Sequence, residues 1–275
     1  MKNSLSVQSV LVGVDFSKYS KSAVLQARAL AEQWNVPMAL VYGFTFPFLD
    51  ELQYPDIIAF EIESYTKRLQ RFYKVQKNEK IIVKCGKPVE QILKASQSLP
   101  QPLIVLGHRG SGGMISKFFF GSTAERVAQQ SVNPVWIHRD HKSVQFNKVL
   151  IPCDLSDRAP YTAQFIKKNG PEKTKLELFH VIEQPMPLLD YEAWKIMVKK
   201  SNRLNTARLK KFKKQHPDFK VIEEGGNVFD EIENRAKNFN FIALSPRKSK
   251  SFFQGFGSVT SKIVRSSQKS VLIIP

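Results

Sequence analysis

Short hydrophobic runs alternate along the chain with longer segments in which hydrophobic residues recur every three or four positions. In the first half, the runs predict strands at Val10–Val14, Met38–Phe44, Ile81–Val83, Leu103–Leu106 and Val135–Ile137. Helical spacing predicts a helix with an apolar stripe from Ala23 to Trp34, and further helices at Leu52–Val75, Val89–Ala95 and Thr123–Gln130. This alternation predicts an α/β fold with a mainly parallel sheet and helices on both faces.

Three segments of the first half recur, in the same order, in the second half. The pairs are VLVGVDFS (Val10–Ser17) with VLIPCDLS (Val149–Ser156), GKPVEQI (Gly86–Ile92) with GNVFDEI (Gly226–Ile232), and GSTAERVAQQSVNPVWI (Gly121–Ile137) with GSVTSKIVRSSQKSVLI (Gly257–Ile273). The offsets lie between 136 and 140 residues. Because this period far exceeds the roughly 20–50 residues of solenoid repeats, we expect two complete domains. We place them at residues 1–140 and 146–275, joined by the polar segment His138–Asn147.

Composition narrows the class of protein. The 275 residues are 42% hydrophobic and 24% charged, which is typical of a soluble globular chain. There is no apolar stretch of the roughly 20 residues that a membrane span needs, and the first residues lack the features of a signal peptide. With only Cys85 and Cys153, a disulfide scaffold is not expected, and we expect a cytoplasmic protein.

The formal net charge of +18 favours polyanions as partners. Lysine-rich surfaces are also common on proteins that bind no polyanion, so charge alone does not lead us to expect a nucleic acid partner. The segment Lys195–Lys220 carries ten lysines and arginines against one acid, Asp218, with apolar residues at mostly helical spacing. We interpret it as a core-packed helix with a solvated basic face, rather than a helix that lies on a membrane or on nucleic acid.

Candidate chemistry lies where strands end. In sheets of this kind, ligands bind beyond the carboxyl ends of the strands, near the point where the winding direction switches. Asp15 follows the first strand of the first copy, and Asp154 follows the first strand of the second. An aspartate there can accept a hydrogen bond from a ribose hydroxyl or cap the following helix. The sequence leaves both readings open.

A glycine-rich loop follows the fourth strand of the first copy. It begins Gly107-His108-Arg109-Gly110, and Gly121-Ser122-Thr123 opens the next helix. Free N–H groups at a helix start, with glycines that allow close approach, suit an anion, although such glycines also occur in plain turns. The sequence matches neither GxxxxGK[ST] nor GxGxxG. No nucleophile or metal-hydrolase motif is present, so we do not expect an enzyme, and any nucleotide turnover should be slow.

Here a family resemblance becomes specific. The run VLGHRGSGGMISKFFFGSTAERVAQQSVNPVWI resembles the C-terminal signature of the universal stress protein family, and VGVDFS resembles its first strand with its aspartate. With GKPVEQI, the resemblance covers nearly the whole first copy and identifies the chain as a tandem two-domain member. It implies two domains of the adenine nucleotide alpha hydrolase-like type, each a five-stranded parallel sheet. In the ATP-binding branch it implies ATP, with Mg²⁺ as a candidate companion.

Matching positions carry the family's site onto the first copy. Adenine would lie near Val14 and the backbone of Gly43, and Asp15 would hold the ribose. The remaining predicted site residues are Gly13 and Leu106 near the strand ends, the phosphate cradle Gly107, Gly110, Gly121, Ser122 and Thr123, and the loop residues His108 and Arg109. The chain departs from the signature at one point, because ten residues (111–120) separate Gly110 from Gly121 where the family has nine. A bulge could absorb the extra residue, or it could displace the helix start.

The second copy departs further from the family's pattern. It keeps the strand-one motif as Pro152, Asp154 and Ser156, but its loop, Ser245–Lys248, has lost both leading glycines. We therefore expect this half to be degenerate as an ATP site or to bind something else. Its candidate site residues are Pro152, Asp154, Val181, Gly257 and Ser258.

The two domains are expected to pack as an intramolecular pseudo-dimer through their last strands, Val135–Ile137 and Val271–Ile274, whose edges would otherwise be exposed. A further homodimer stays open. The leading hypothesis is a cytoplasmic stress-response protein that binds ATP through its N-terminal domain. The alternatives are a scaffold of the same fold that binds no nucleotide and a polyanion-associating protein.

Overall fold

The computed structural model describes residues 6–46, 54–110, 122–183, 191–246 and 256–275. The first half contains β1 Ser9–Gly13, α1 Lys18–Trp34, β2 Met38–Phe44, α2 Pro55–Tyr73, β3 Glu79–Cys85, α3 Pro88–Gln97, β4 Pro102–Gly107, α4 Ser122–Gln130 and β5 Val135–His138. The second half contains β6 Lys148–Pro152, α5 Arg158–Asn169, β7 Lys175–Glu183, α6 Tyr191–Gln215, β8 Val221–Gly226, α7 Val228–Ala236, β9 Phe241–Leu244, α8 Ser258–Ser266 and β10 Ser270–Ile273.

The order of elements confirms the predicted alternation of strands and helices, with differences at particular ends. The third strand runs from Glu79 to Cys85 rather than over Ile81–Val83. It lies at the edge of the sheet, where exposed lysines can occupy a strand, so hydrophobicity alone underestimates its length. Helix α2 begins at Pro55, because proline suits the first helical turn, and Lys74 ends the helix in the left-handed region at φ 48°. Leu52, where that helix was predicted to begin, lies outside the described residues.

All ten strands of the described chain form one sheet in the order β3-β2-β1-β4-β5-β10-β9-β6-β7-β8. Within each half the five strands are parallel, which confirms the predicted five-stranded parallel arrangement of each domain. The halves meet where β5 pairs antiparallel with β10, with Trp136 opposite Leu272. This confirms the predicted contact between the last strands. Because β5 and β10 are antiparallel, the strands of the two halves run in opposite directions, and their carboxyl ends point opposite ways.

The junction continues into a core that both halves share. Trp136 is fully buried, and its ring centre lies 4.6 Å from that of Phe241 in the second half and 6.1 Å from that of Phe146. The segment predicted as a polar connection is therefore partly buried, because Phe146 lies within it and is 1% exposed. His138, predicted as part of that connection, is instead the last residue of β5 and is equally buried. In the described ranges, no helix is both long and apolar enough to cross a membrane.

Candidate functional site

The turn after β1 shows which residue caps α1. The Ser17 hydroxyl, rather than Asp15, caps α1, accepting a hydrogen bond from the Ser20 backbone N–H at 3.0 Å. Asp15 Oδ1 accepts one from the Ser17 backbone N–H, also at 3.0 Å. Phe16 between them has a φ of 63°, and the turn is fixed from outside by the Tyr73 hydroxyl, which accepts from the Phe16 N–H at 2.8 Å. Asp15 therefore shapes the turn that carries its own carboxylate, and the helix cap belongs to Ser17.

Close packing accounts for three of the glycines assigned to the first-half site. The distances from an added Cβ to its nearest neighbour would be 2.5 Å at Gly13, 2.9 Å at Gly43 and 2.9 Å at Gly107. For Gly43 and Gly107 the neighbours are backbone atoms of Pro88 and Tyr19, which cannot rotate away. These two positions need glycine whether or not a ligand is bound.

Gly110 has a different environment. A Cβ there would lie 2.9 Å from Asp15 Oδ2, so the loop after β4 reaches the aspartate after β1. The structure thus brings together the residue predicted to hold a ribose and the loop predicted to hold phosphate. Ser122 and Thr123 begin α4 as predicted, while Gly121 and Phe118–Phe120 lie outside the described residues.

His108 lines this loop as an uncharged group. Burial, reinforced by the charge of Arg139, lowers its pKa to about 4. Its Nδ1 lies 3.2 Å from the His138 carbonyl oxygen, and its ring packs edge-to-face on Tyr19 with ring centres 4.7 Å apart. Arg109 lies 5.9 Å from the centre of the same Tyr19 ring. Of these two loop residues, Arg109 is the one that carries positive charge at neutral pH.

An aromatic cluster covers the ends of β1 and β2. The Phe16 ring centre lies 5.1 Å from that of Tyr42 and 6.4 Å from that of Tyr65, and these two tyrosines are 5.0 Å apart. The Arg68 guanidinium lies 4.2 Å from the centre of the Phe16 ring. Burial, together with the neighbouring Tyr65, raises the pKa of Tyr42 to about 12, so it stays neutral. Four side chains of α2, β2 and the β1 turn thus form one packed layer.

A cleft of about 940 Å³ opens in the second half. It lies at the carboxyl ends of β6, β7 and β9, between α6 and the first turns of α5, α7 and α8. All five residues assigned to the second candidate site line it: Pro152, Asp154, Val181, Gly257 and Ser258. The site predicted in the first half rests on its glycine loop, part of which lies outside the described residues, and it stays a prediction.

Charged groups converge on Asp154 at the floor of this cleft. Its Oδ2 is ion-paired with Arg158, and its Oδ1 accepts a hydrogen bond from the Ser156 hydroxyl at 2.5 Å. Its backbone carbonyl accepts one from Arg208 of α6 at 2.8 Å. Lys200 also lines the cleft, so three cationic side chains oppose the two carboxylates of Asp154 and Glu183. The cleft therefore favours an anionic ligand.

Two further side chains lie on the floor of the cleft. His180 is buried, with Nδ1 donating to the Cys153 carbonyl at 2.7 Å and Nε2 2.7 Å from the Asn205 side-chain oxygen. Burial raises the pKa of the Cys153 thiol to about 11, which makes it a poor nucleophile near neutral pH. Within the described ranges, no group of three or more His, Cys, Asp or Glu side chains is placed to hold a metal.

Helix α6 supplies the outer wall. It packs on the sheet through Asn205, Leu209 and Phe212, all in its C-terminal half, as expected for a core-packed helix with a basic outer face. Its earlier turns instead present Met197 and Leu204 to the cleft, where they are 47% and 58% exposed. This apolar wall was not anticipated, because hydrophobic residues at helical spacing predict burial against the sheet without saying where the sheet ends.

Side chains around the second-half cleft are smaller than those at the matching positions of the first half. Leu40 of β2 pairs with Val12 of β1, and Leu178 of β7 pairs in the same way with Ile151 of β6, so Leu40 and Leu178 are equivalent. Two residues further along each strand, Tyr42 is therefore equivalent to His180. An offset of 140 residues relates Leu69 of α2 to Leu209 of α6, both buried. It also relates Gly86, after β3, to Gly226, at the end of β8, both with positive φ. The same offset relates Tyr65 to Asn205, and Asp15 and Phe16 correspond to Asp154 and Leu155. Three aromatic rings are thus replaced by smaller side chains.

Comparison with known proteins supports the two-copy architecture. A sequence model described as the universal stress protein family matches residues 6–139 and again residues 145–275. A curated universal stress protein of Thermus aquaticus is 29% identical over 141 residues, which is 48% of this chain and 98% of that protein. The crystal structure of a universal stress protein from Archaeoglobus fulgidus aligns with a TM-score of 0.65 at 23% identity, covering 96% of this chain and 97% of its own. A putative universal stress protein from Pseudomonas aeruginosa aligns at 0.61 and 12% identity, covering 98% and 94%.

Proposed function

The chain belongs to the universal stress protein family, and on that footing we propose that it binds an adenine nucleotide in the second-half cleft. The observation that carries the proposal is the coincidence of the cleft with all five residues assigned to the second site. The cleft also lies where ligands of open parallel sheets bind, beyond the strand ends, and its volume is within the range of small-molecule sites.

The chemistry of the lining suits such a ligand. Apolar side chains that include Val181, Met197 and Leu204 offer surface to a base, and Arg158, Arg208 and Lys200 offer positive charge to phosphate. Mg²⁺ accompanies a triphosphate in this proposal, held mainly by phosphate oxygens. We propose binding without turnover, in a stress-response protein of the cytoplasm.

The first half is a second candidate site, for ATP. Contact between Gly110 and the Asp15 carboxylate supports it, since this joins the ribose-type and phosphate-type positions. Against it, the positions that open the cleft in the second half carry Phe16, Tyr42 and Tyr65 in the first. The prediction that nucleotide binding rests on the N-terminal half therefore stays a prediction.

Calorimetric titration of the full chain with ATP, with and without Mg²⁺, tests the proposal. The double variant His180→Tyr/Asn205→Tyr copies the first half's tyrosine pair into the cleft and should abolish saturable binding. Asp15→Ala and Gly110→Val, at the other site, should leave it intact. The opposite pattern would place the site in the first half, and the absence of saturable binding by any adenine nucleotide would refute the proposal. Retained folding is checked by far-UV circular dichroism.

A further inference from the structure

We infer that the second-half cleft selects an adenine nucleotide whose ribose carries a phosphate group on its 2′ or 3′ oxygen. The inference rests on the proposed function and specifies which nucleotide the cleft prefers. It is carried by the two arginines that flank Asp154, the residue that corresponds to the ribose-type aspartate Asp15.

Both oxygens of the Asp154 carboxylate already have partners within the chain. Arg158 pairs with one, and the Ser156 hydroxyl donates to the other at 2.5 Å. A ribose hydroxyl that donated to this carboxylate would compete with an ion pair. By contrast, a guanidinium has five N–H donors, so a bond from Arg158 to Asp154 leaves further donors for a ligand anion. The position is better suited to receive negative charge than to accept a hydroxyl proton.

The first half shows which residues make the difference. Tyr19 stands four residues after Asp15, where Arg158 stands four residues after Asp154. Arg68 corresponds to Arg208 at the offset of 140, but its guanidinium lies over the Phe16 ring, 4.2 Å from the ring centre. In the second half the matching residue is Leu155, which has no ring to hold the arginine.

Arg208 instead reaches the Asp154 carbonyl at 2.8 Å. Two differences between the copies, Arg158 in place of Tyr19 and Leu155 in place of Phe16, thus bring the guanidiniums of Arg158 and Arg208 next to Asp154.

Dinucleotide-binding proteins make the same distinction with the same residue types. An acidic side chain accepts hydrogen bonds from an unmodified ribose, whereas a nearby arginine accommodates a phosphate on that ribose. The planar guanidinium forms paired hydrogen bonds to phosphate oxygens, which a tyrosine at the same position cannot do. The ion pair with Asp154 orients Arg158 before a ligand arrives.

The cleft also has room for the nucleotide's 5′-phosphate. Gly257 precedes the first turn of α8, and a Cβ added there would meet nothing within 4 Å. Ser258 and Thr260 of the same turn line the cleft and carry hydroxyls. The arginines and the first turn of α8 are separate parts of the cleft wall. The ribose phosphate would contact the arginines, and the 5′-phosphate would contact the α8 turn.

The test compares four ligands on the full chain by calorimetric titration: AMP, ATP, adenosine 2′,5′-bisphosphate and adenosine 3′,5′-bisphosphate. We expect at least one bisphosphate to bind roughly tenfold or more tightly than AMP, which is the gain expected from one hydrogen bond to a charged group. Arg158→Tyr, which copies Tyr19 of the first half, should reduce that ratio to near one. Arg158→Lys should restore part of it, because charge is kept while the paired geometry is lost.

Arg203→Tyr is the matched control, since Arg203 lies on the exposed part of α6 and does not line the cleft. Its bisphosphate-to-AMP ratio should equal that of the unmodified chain. Arg208→Gln tests the second guanidinium without touching the Asp154 ion pair.

Equal affinity for AMP and both bisphosphates, or a preference that Arg158→Tyr leaves unchanged, would overturn the inference while leaving nucleotide binding intact. Failure of all four ligands to bind would refute the proposed function as well.

Discussion

Replacing Trp136 with alanine tests whether the two halves share one core. The side chain is fully buried on β5, its neighbours Phe146 and Phe241 belong to the connection and to the second half, and its Nε1 donates to His138 Nδ1 at 3.3 Å. Truncating a buried tryptophan to alanine costs about 3–5 kcal/mol. For a chain of this size, each kcal/mol lowers the melting temperature by about 2–4 °C, so we expect a decrease of roughly 10 °C.

The assay follows unfolding in urea with two signals. One is far-UV circular dichroism, which reports both halves, and the other is tryptophan fluorescence in a Trp34→Phe background, where Trp194 of α6 is the remaining tryptophan of the Trp136→Ala variant. Because the Trp136 ring packs against the second half, both signals should shift together in the variant. Trp136→Phe should cost less, since most of the ring contacts remain. Val132→Ala is the surface control: Val132 is 67% exposed and its loss should change stability by under about 0.5 kcal/mol.

The reasoning would be refuted if the Trp194 transition of Trp136→Ala kept its original midpoint while circular dichroism showed a second, earlier transition. The halves would then unfold separately, and the β5–β10 junction would be a contact between independent domains.

Two further predictions concern pH and glycine. Burial lowers the pKa of His108 and His138 to about 4, whereas an unfolded histidine titrates near 6.5, so their contribution to stability is complete above about pH 6.5 and is lost as the pH falls towards 4. The free energy of unfolding measured in urea should be lower at pH 5 than at pH 7 by up to about 2 kcal/mol for each histidine. His108→Gln should reduce this difference between the two pH values. If the variant shows the same difference as the unmodified chain, His108 does not have the lowered pKa. Gly43→Ala should destabilise the protein because its Cβ would lie 2.9 Å from the Pro88 Cα, whereas Gly257→Ala, with nothing within 4 Å, should change the melting temperature little. Equal shifts for the two glycine variants would rule out the packing explanation.

Much of the fold follows from pattern in the sequence. The recurrence of Val10–Ser17 as Val149–Ser156 indicates duplication, and the hydrophobic runs place the strands within a few residues. The β5–β10 pairing could be predicted because an edge strand exposes unpaired backbone N–H and C=O groups, which proteins usually cover. What pattern could not supply was the true length of β3, because a strand at the edge of a sheet tolerates lysines that a central strand would exclude.

The site was only partly predictable. The five second-half residues were predicted from their correspondence to the first copy, and they line one cleft. The cleft itself depends on side chains distant in sequence, such as His180 and Asn205 facing each other where Tyr42 and Tyr65 face each other in the first half. Comparing the copies position by position for residue volume, and not only for glycine, is the signal that would have found it.

The antiparallel pairing of β5 with β10 has a consequence for how the two copies can change. In a symmetric homodimer every substitution occurs twice, so a residue that improves one site alters the other as well. Here the same arrangement is built from a single polypeptide, and Tyr19 can differ from Arg158 while Phe16 differs from Leu155. Fusion retains the shared core and releases each site from the other, so that one chain can specialise its two ends for different ligands.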